Sequence, residues 1–517
     1  MTTQSNDIII VGAGPTGLML ANQLMRFGVD YIILDQKSGP TDQSRALVVH
    51  SRSMEIYEQL GLSDKIIADG QENDGIEFYK NGKLSASVTL VNTDEKSSPF
   101  PFLMMYEQSK NENLLYDNLL ANNKNVQWNT VINSIEKEND SYILKTTQGN
   151  NDVTYQCKYL LACDGSKSIV RDFSQVPFVG GTYLNVFYVA DTHANAGISP
   201  KKLSLFLTKH SVTLLFPMKG EYHFRALGIL PKEYYNRTEI PFQEILDKAK
   251  TEMKIPVEFY DTNWHSTYKL HHKKVVHFNK DNIFFVGDAA HVHSPAGGQG
   301  MNTGLQDAYN LAWKLALVQK GKAGSALLNT YHEERNPVAN DLLKTTDRLF
   351  AGMVTDNIWY AILRLYLVPF FVPLITQFRS VRKQLFLLVS QIKINYYFSS
   401  LAKGKAGKIK AGLRLPYFFV TQNSRAISIY TLVNKSATPF TILLYNIPDA
   451  DFTKFDKVHF TVVSIEKNNT NDNTFKEIGL SRSFVIVVRP DNHIGYISAT
   501  ADVVEIINFM RTSYFIV

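Results

Sequence analysis

The chain has 517 residues, which is too long for one hydrophobic core and predicts two or three domains. Hydrophobic residues make up 44% of the chain, and 54 Lys and Arg face 48 Asp and Glu, a net charge of only +6. This composition is that of an ordinary globular protein, and it excludes a low-complexity chain and gives no reason to expect a nucleic-acid partner. The densest cationic run, at Lys403, Lys405, Lys408 and Lys410, is interpreted as a solvated linker.

Two segments bear on cellular location. Residues 1–7 are short and polar and precede a predicted strand, so we expect no signal peptide. The most apolar stretch, 359–378, contains Arg364, Pro369 and Pro373, whereas a membrane span needs ~20 apolar residues without charge. Buried helices broken by proline are therefore expected, with a membrane span as the weaker alternative. Because the only cysteines are Cys157 and Cys163, a cytoplasmic chain with reduced thiols is expected.

The first 35 residues predict one strand–helix–strand unit. Ile8 to Val11 is a short apolar run typical of a parallel strand buried on both faces. A glycine turn follows, then apolar residues at helical spacing, and Gly28 ends the helix before the second strand, 31–34. This order predicts a βαβ unit at the start of the chain.

The middle of the chain alternates between predicted strands and helices. Residues 76–100 have alternating polarity typical of strands, 108–120 predict a helix, and 126–159 predict a hairpin-rich region that ends in a strand at 159–162. Residues 176–275 contain many alternating runs and predict a separate β-rich domain. Another buried strand is expected at 283–286.

Helices and a small α/β region complete the prediction. An amphipathic helix is expected from about Thr303 to Gln319, and residues 325–400 are expected to be wholly helical. Strands alternate with helical patterns from 412 onward. The predicted domains are 1–175, with 76–100 as an alternative contribution to the second domain, then 176–275, 276–400 and 412–517.

The glycine turn predicts a dinucleotide site. Gly12, Gly14 and Gly17 form GxGxxG between a strand and a helix that opens at Pro15, and Asp35 closes the second strand. The first glycine permits the tight turn, the second lets the backbone approach a pyrophosphate, and the third lets the helix pack on the sheet. A carboxylate at position 35 suits ribose hydroxyls and disfavours a 2′-phosphate, so FAD or NAD is expected rather than NADP.

Two further motifs favour FAD. Asp164-Gly165 follows one predicted strand, and Gly287-Asp288 follows another. The second motif continues through Pro295, Gly298, Gly300, Met301 and Asn302 into a helix. Asp288 would accept hydrogen bonds from ribityl hydroxyls, and the helix N-terminus would stabilise negative charge on a reduced flavin.

With these motifs in order, the chain resembles the FAD-dependent aromatic hydroxylases, the single-component flavoprotein monooxygenases typified by para-hydroxybenzoate hydroxylase. The region after 412 resembles the thioredoxin-like domain of phenol hydroxylase and of the polyketide and rifampicin hydroxylases, through Gly412 to Pro416 and Arg489-Pro490-Asp491. The implied fold is α/β: a Rossmann-type FAD-binding domain, an inserted β-rich substrate domain, a helical segment and a thioredoxin-like domain. The last contains no cysteine and so cannot perform thiol–disulfide chemistry.

The resemblance also implies residue roles. Arg45 would lie near the FAD pyrophosphate, Gln108 would contact the ribityl or phosphate region, and Asp164-Gly165 would serve FAD and the reduced nicotinamide. Lys167 stands where the family usually has arginine, which keeps the charge but loses a bidentate donor, so NADPH and NADH both remain open.

The implied reaction is hydroxylation of a phenolic or polycyclic aromatic substrate with NAD(P)H and O₂ through a flavin C4a-hydroperoxide. The Pro295 loop would shape the pocket beside the flavin, and Arg225 is a candidate contact to a substrate phenolate or carboxylate; the alternative for Arg225 is an exposed strand residue. Aromatic residues of 350–400 could line a wide pocket. No metal is expected, because His291 and His293 lack accompanying ligands. The chain would act as a monomer or a homodimer.

Three other functions are alternatives to a monooxygenase. A flavin halogenase is disfavoured because its Trp-x-Trp-x-Ile-Pro signature is absent. A flavin-dependent dehydrogenase or reductase on the same fold is disfavoured by the hydroxylase-type C-terminal region. A non-catalytic flavoprotein that sequesters an aromatic drug or pigment stays open.

Overall fold

The computed structural model describes residues 2–42, 46–89, 97–195, 197–208, 212–235, 237, 240–294, 297–354, 357–434, 439–447, 452 and 455–516. Arg45 and Pro295, both predicted site residues, lie outside them.

The first 175 residues contain the predicted βαβ unit and a strand-rich continuation. The elements are β1 (Thr2–Ser5), β2 (Ile8–Val11), α1 (Pro15–Arg26), β3 (Ile32–Leu34), β4 (Val48–Val49), α2 (Ser51–Gln59), α3 (Ser63–Asp69), β5 (Gln71–Asn73), β6 (Gly75–Lys80), β7 (Lys83–Thr89), β8 (Leu103–Met105), α4 (Gln108–Ala121), β9 (Thr130–Glu138), β10 (Ser141–Gln148), β11 (Asn151–Cys157), β12 (Tyr159–Ala162) and α5 (Ile169–Ser174). The strand–helix–strand order predicted for residues 8–34 is confirmed.

The predicted β-rich region has long strands and one helix that the sequence pattern did not predict. Its elements are β13 (Phe178–Asn195), β14 (Lys202–Leu207), β15 (Val212–Pro217), β16 (His223–Ile229), a 3₁₀ turn (Lys232–Tyr234), α6 (Phe242–Met253) and β17 (Glu258–Val275). Helix α6 buries Ile245, Ala249 and Met253 against the sheet. Their spacing of four residues is the helical signal that the strand interpretation overlooked.

The next segment returns to the first region and ends in helices. It contains β18 (Asn279–Lys280), β19 (Ile283–Phe285), a 3₁₀ turn (Gly287–Ala289), β20 (His291–Val292), α7 (Gly300–Gln319), a 3₁₀ helix (Ser325–Asn329), α8 (Thr330–Val354), α9 (Ile358–Ile362), a π-helical turn (Leu363–Leu367), α10 (Val368–Thr376) and α11 (Arg379–Val389). The helical prediction for 325–400 is confirmed for most of the described residues up to Val389, but residues 390–400 form turns, bends and irregular backbone instead of helix.

The C-terminal region is a second α/β unit. It contains β21 (Lys403–Ala406), β22 (Ile409–Lys410), β23 (Phe419–Gln422), β24 (Arg425–Ser428), α12 (Ile429–Asn434), β25 (Phe440–Tyr445), β26 (Phe460–Ile465), α13 (Asn469–Ile478), β27 (Phe484–Val488), β28 (Ile494–Ser498) and α14 (Val503–Ser513). The linker interpretation of the lysine run is wrong, because β21 pairs in parallel with β28 and β22 pairs with β21.

A five-stranded sheet gathers strands that are far apart in the chain. Its order is β18-β19-β12-β2-β3, and all neighbours except the β18 edge strand are parallel. Residues Ile8 to Ile10 are fully buried, as are Leu160 and Leu161 next to them. Uninterrupted apolar runs are what a parallel strand needs when both of its faces are covered.

An eight-stranded sheet lies beside it, in the order β20-β17-β13-β16-β15-β14-β6-β7. Strands β6 and β7, at residues 75–89, belong to it, because β6 pairs in parallel with β14 and antiparallel with β7. Strands β13 and β17 pair antiparallel along almost their whole length, with register shifts near 182–186 and 191–193. Through β20 the sheet reaches the Gly287–Asn302 motif.

The apolar stretch 359–378 packs differently from the prediction. Its Leu365, Val368 and Val372 side chains contact the eight-stranded sheet, but Trp359 is 74% exposed and Phe370 is 62% exposed. The expectation of buried helices is therefore wrong for one face of this segment. No helix within the described parts of the chain has the length and apolar character needed to cross a bilayer.

Candidate functional site

The three sequence motifs meet at one edge of the five-stranded sheet. Each follows the carboxyl end of a parallel strand: Gly12 follows β2, Asp164 follows β12 and Gly287 follows β19. Because these strands are neighbours, the motifs are adjacent; Cys163 N donates to Val11 O at 2.8 Å and Val286 N to Ala162 O at 2.9 Å. This edge of an open α/β sheet is where such folds bind ligands.

The glycines of the first turn have different surroundings. A Cβ at Gly12, whose φ is +100°, would lie 2.4 Å from Cys163 O, and one at Gly17 would lie 1.9 Å from Gly12 O. A Cβ at Gly14 would meet no protein atom within 4 Å. Gly12 and Gly17 are thus required by close packing, whereas Gly14 borders open space at the N-terminus of α1, where a phosphate group would gain from the helix dipole.

Asp35 is oriented by the backbone of this turn. Its Oδ2 accepts a hydrogen bond from Ala13 N at 2.6 Å and its Oδ1 one from Lys37 N at 2.8 Å. Each carboxylate oxygen keeps a second lone pair, so the group can still accept from ribose hydroxyls.

A second group of residues, which sequence reasoning missed, supports the turn. Glu112 on α4 is almost fully buried and accepts from Lys37 Nζ at 3.0 Å, from Thr41 N at 2.8 Å and from Gln108 Nε2 at 3.0 Å. Gln108 N in turn donates to Ala46 O at 3.0 Å. Gln108 therefore holds the backbone of Ala46, the residue after Arg45 in the chain. Only its burial, which is unusual for a glutamate, marks Glu112, and burial cannot be read from a single position of the sequence.

An open cleft of about 580 Å³ runs along this edge. Its lining joins the strand ends to apolar side chains of β9 and α5: Val11, Gly12, Leu34, Asp35, Gln36, Thr130, Val131, Ile132, Asp164, Lys167 and Ile169. Val131 and Ile169 are exposed in the protein alone. Apolar walls beside a ribose-binding carboxylate suit an adenine ring.

Asp164 carries an unsatisfied acceptor into the cleft. Its Oδ2 accepts from Val170 N at 3.3 Å, but its buried Oδ1 has no hydrogen-bond partner. Burial raises the pKa of this carboxyl above its ordinary value. Gly165 beside it has φ +80° and open space at its Cβ position. A ligand donor at this point would relieve the cost of the orphaned oxygen.

Arg171 and Thr16 connect the motifs. Arg171 Nη2 donates to Ser166 O at 2.8 Å and its Nη1 to Ala289 O at 3.3 Å, which ties the Asp164 motif to the Gly287 motif. A Cβ at Gly287, whose φ is +63°, would lie 2.5 Å from Thr16 Oγ1. Asp288 in the same turn is exposed.

The N-terminus of α7 is held by Asn302. The helix begins at Gly300, three residues before the predicted start at about Thr303. Asn302 Nδ2 donates to Val48 O at 2.7 Å and to Gly298 O at 2.9 Å, and its Oδ1 accepts from His50 N at 2.9 Å. These bonds fix the Gly298 backbone next to β4. Met301 is partly buried against the main core, and Gly300 lies near His293.

An apolar cavity opens beside Gly297 and Gly298. Its lining is otherwise made of side chains from the eight-stranded sheet, β4, β5, β8, α8 and α11: Val48, Asn73, Ile76, Leu103, Met105, Phe187, Leu203, Val212, Leu214, Phe216, Leu227, Ile229, Phe350 and Val389. Of the aromatic residues in 350–400, Phe350 lines it, while Trp359 and Phe371 are exposed elsewhere.

Asn73 is the one hydrogen-bonding side chain in this described lining. It is 95% buried, with a relative exposure of 5%, and its Oδ1 accepts from Gly75 N at 2.9 Å. This bond fixes the orientation of the amide, and the Nδ2 group keeps donors for a bound molecule. Sequence reasoning missed Asn73, since a lone asparagine at a strand end usually marks a turn.

Arg225 is buried rather than exposed, so the exposed-strand alternative is wrong. Its Nε and Nη2 donate to the two carboxylate oxygens of Asp191 at 2.6 and 2.7 Å, and its Nη1 donates to Ala46 O at 3.0 Å. A bidentate pair of this kind neutralises the guanidinium. Arg225 therefore supports the backbone of Ala46.

His291 and His293 do not form a metal centre with other described residues, where no group of three metal-ligating side chains occurs. His291 Nε2 pairs with Asp307 Oδ2 at 2.7 Å, and Arg335 Nε donates to Asp307 Oδ1 at 2.6 Å. Burial alone would raise the Asp307 pKa, but the charges of Arg335 and His291 lower it overall. The Gly287 N–H also donates to Asp307. This buried cluster therefore stabilises the turn at Gly287 that follows β19.

The residues present fit a flavin dinucleotide. The open space at Gly14, the oriented Asp35 carboxylate and the orphaned Asp164 oxygen lie along one cleft, and Gly297 and Gly298 border the apolar cavity. A pyrophosphate, a ribose, a ribityl chain and an apolar ring system are the groups that such a series accepts.

Comparison with known proteins agrees with this site. A family model described as an FAD-binding domain matches residues 5–346. The chain is 32% identical to a 6-methylpretetramide 4-monooxygenase of Streptomyces rimosus over 68% of this chain and 63% of that protein. It is 30% identical to a rifampicin monooxygenase of Rhodococcus hoagii over 76% of this chain and 80% of that protein. The match thus spans less than two thirds of the Streptomyces relative.

The fold has close counterparts among solved structures. An anhydrotetracycline hydroxylase from Streptomyces rimosus superposes with a TM-score of 0.81 at 23% identity, covering 99% of each chain. The mixed α/β architecture is therefore that of a known hydroxylase structure from end to end.

Proposed function

Because the chain belongs to the FAD-binding family whose model matches residues 5–346, we propose that it is an FAD-dependent monooxygenase that hydroxylates an aromatic substrate with O₂ and NADPH or NADH. The observation that carries the proposal is that the glycine motif borders the apolar cavity. Gly297 and Gly298 follow the Gly287-Asp288 motif and also line the apolar cavity. A ring bound along the motif would face a substrate held in that cavity.

The cofactor would be held by the residues of the three motifs. Gly12, Gly14, Pro15 and Gly17 would hold the pyrophosphate, Asp35 the ribose, and Asp164, Gly165, Gly287 and Asp288 the ribityl side. The N-terminus of α7, from Gly298 through Gly300, Met301 and Asn302, would meet the polar edge of the ring, and its dipole favours negative charge there. Bound flavin would supply hydride acceptance and oxygen activation, while the protein supplies position and a dry cavity.

Roles for Arg45, Gln108 and Pro295 follow from the same proposal. Gln108 holds the Ala46 backbone, so it would position Arg45 toward the pyrophosphate rather than contact the cofactor alone. Pro295 precedes Gly297 in the chain and would close the loop beside the ring. Arg225, paired with Asp191, would act as a positioning residue for the same segment and not as a direct substrate contact.

The cavity favours an apolar aromatic substrate, because its described lining carries one polar side chain among apolar ones. Two relatives are named as monooxygenases of 6-methylpretetramide and of rifampicin. We infer a multi-ring substrate with an oxygen acceptor that meets Asn73 Nδ2.

The C-terminal region is proposed to be a thioredoxin-like domain without redox function. In its sheet, β26 and β25 are parallel, β27 is antiparallel to β25 and β28 is antiparallel to β27, with α13 before β27 and α14 after β28. This order supports a thioredoxin-like core.

The only cysteines of the chain, Cys157 and Cys163, are free and buried near β12, which supports a reducing, cytoplasmic environment. The domain division at 175, 275 and about 400–412 is retained as part of this proposal.

Anaerobic reduction of the bound flavin by NADPH and by NADH tests the function. The visible absorbance is followed after mixing, with and without a panel of phenols and multi-ring aromatics. We expect bleaching that a multi-ring compound accelerates, followed by transfer of ¹⁸O from labelled O₂ into that compound. Bleaching without any effect of the panel and without product oxygen would instead indicate a flavin reductase, and no bleaching by either nucleotide would indicate a flavoprotein that binds without turnover.

Asn73→Leu tests the substrate contact. Loss of one hydrogen bond costs about 1 kcal/mol, so we expect the Kd of an accepted multi-ring substrate to rise about fivefold at full flavin occupancy. Flavin fluorescence titration gives the Kd. Asn133→Leu, at an exposed position of β9, is the control. An unchanged Kd in the Asn73 variant would contradict the assigned contact.

A further inference from the structure

One face of the helices between Trp359 and Phe378 is apolar and uncovered. The most exposed side chains of this apolar helical face are Trp359 at 74%, Phe370 at 62% and Phe378 at 65%, and Tyr366, Phe371 and Leu374 are also exposed. A contiguous set of this kind exceeds the single exposed apolar residues that normal surfaces carry.

The opposite side of these helices is already packed. Leu365, Val368 and Val372 contact the cluster formed by Phe78, Val88 and their neighbours on the eight-stranded sheet. The helices therefore do not need the exposed face for their own attachment to the protein. Something outside the chain would have to cover that face.

The segment that carries the face has charges of one sign. Between residues 357 and 402 the sequence has five Lys and Arg and no Asp or Glu. Arg379 and Lys383 on α11 and Lys83 on β7 are exposed, and Lys80 Nζ lies 3.4 Å from the centre of the Tyr366 ring. The apolar helical face is thus bordered by cations.

We propose that this face docks on the surface of an anionic lipid membrane. Aromatic and aliphatic side chains would enter the boundary between headgroups and acyl chains, while the bordering cations meet lipid phosphates. No described helix has the length to span, so the attachment would be to one leaflet. A second copy fits less well, because a two-fold contact would bring the same cations together without an acidic residue from this segment.

Docking at this face would bring the entrance of a membrane-dissolved substrate close to the apolar cavity. Val389, the last residue of α11, and Phe350 on α8 both line the apolar cavity. A multi-ring substrate dissolved in the membrane would reach the cavity without crossing water. This purpose rests on the proposed function, whereas the docking does not.

Vesicle co-sedimentation of the FAD-loaded protein tests the docking. We expect binding to vesicles of phosphatidylcholine and phosphatidylglycerol to be at least tenfold tighter than binding to phosphatidylcholine alone, and high salt to weaken it. The triple variant Trp359→Ser, Phe370→Ser and Phe378→Ser should lose binding at unchanged flavin absorbance. Leu184→Ser, which changes an equally exposed leucine on β13, is the matched control.

A charge variant covers the case in which the triple variant fails to fold. Arg379→Gln with Lys383→Gln should weaken binding to the anionic vesicles at least threefold. Failure of the wild-type protein to bind anionic vesicles overturns the proposal. A wild-type dimer that the triple variant converts to monomers, without vesicle binding, also overturns it and identifies a second copy as the partner. Since no turnover is measured, either failure leaves the monooxygenase proposal untouched.

Discussion

Gly14 and Gly17 stand three residues apart in one turn, yet a methyl group at each would meet different surroundings. At Gly17 it would overlap the Gly12 carbonyl oxygen at 1.9 Å, and at Gly14, with φ −81°, it would meet no protein atom within 4 Å. One glycine is therefore needed by the fold and the other by whatever occupies the open space.

Alanine at the two positions should separate stability from cofactor binding. Gly17→Ala should lower the free energy of unfolding by about 2 kcal/mol or more because the turn must shift. Gly14→Ala should leave the unfolding of the apoprotein nearly unchanged and raise the Kd of FAD at least tenfold. Urea denaturation and FAD fluorescence titration measure the two effects; tight FAD binding by Gly14→Ala would refute the placement of the pyrophosphate.

Two histidines near the glycine loop predict a pH effect on stability. Burial lowers the pKa of His50 to about 4, and burial with the charge of nearby His291 lowers that of His293 to about 4. As pH falls below 6.5 the unfolded chain binds these protons and the folded protein does not. Stability from this source is complete above pH 6.5 and decreases toward pH 4, by up to about 1.4 kcal/mol per pH unit for each histidine.

Urea denaturation of the FAD-loaded protein between pH 5 and 7.5 measures this slope. His293→Gln removes one titrating group and should reduce the slope by about half. A slope unchanged by that substitution would show that His293 is not held neutral by the fold.

At the scale of elements, Arg225 on β16 joins its own strand to Asp191 on β13 and to the backbone of Ala46. Arg225→Gln would leave Asp191 without its bidentate partner, and we expect a loss of about 3 kcal/mol in stability together with weaker FAD binding. Arg237→Gln, which removes a fully exposed partner of Glu244, should have little effect on either. Weaker substrate binding with unchanged stability and FAD affinity would favour the direct substrate contact instead.

Elements with local patterns were predictable and elements with distant partners were not. The apolar run of β2, the glycine turn and the spacing of α1 lie within 35 residues, and all were confirmed. The lysines of β21 form a strand only because Tyr496 to Ser498 lie beside them, about 90 residues later in the chain. No periodic pattern near Lys403 indicates that its partner strand lies so far away in the chain.

The candidate site also contains residues that a local pattern predicts and residues that it does not. Glycines and aspartates after strands identified the cleft because their conformational and charge requirements are local. Glu112, Arg171 and Asn73 come from a helix face, a short helix and a strand end whose place beside the motifs depends on tertiary packing. The exposed face of 359–378 was missed because hydrophobicity predicts burial without saying which partner provides it.

At the scale of the whole molecule, a buried ion network attaches the C-terminal region to the helices behind the cofactor site. Glu334 on α8 accepts from both terminal nitrogens of Arg489 at 2.5 and 2.9 Å and from Lys314 Nζ at 2.8 Å. Arg489 also pairs with Asp491, which accepts from Trp313 Nε1 on α7 at 3.2 Å. Burial would raise the Glu334 pKa, but Arg489 and Lys314 lower it, so the network is ionised.

Glu334→Gln should leave Arg489 and Lys314 incompletely compensated in the interior. We expect a loss of about 3–5 kcal/mol in the free energy of unfolding, measured by urea denaturation. Glu505→Gln, which removes an exposed pair with Lys403, is the control and should change little. Equal effects of the two substitutions would mean that the network contributes nothing specific.

The five-stranded sheet has a consequence for how the chain is made. Its inner strands come from residues 8–11, 159–162 and 283–285, so a nascent chain cannot complete it until more than half of the protein has left the ribosome. Contacts of such long sequence separation form slowly, and until then β12 keeps an open edge. Cofactor capture must therefore be a late event in biosynthesis, and the unfinished sheet is where chaperones would be expected to act.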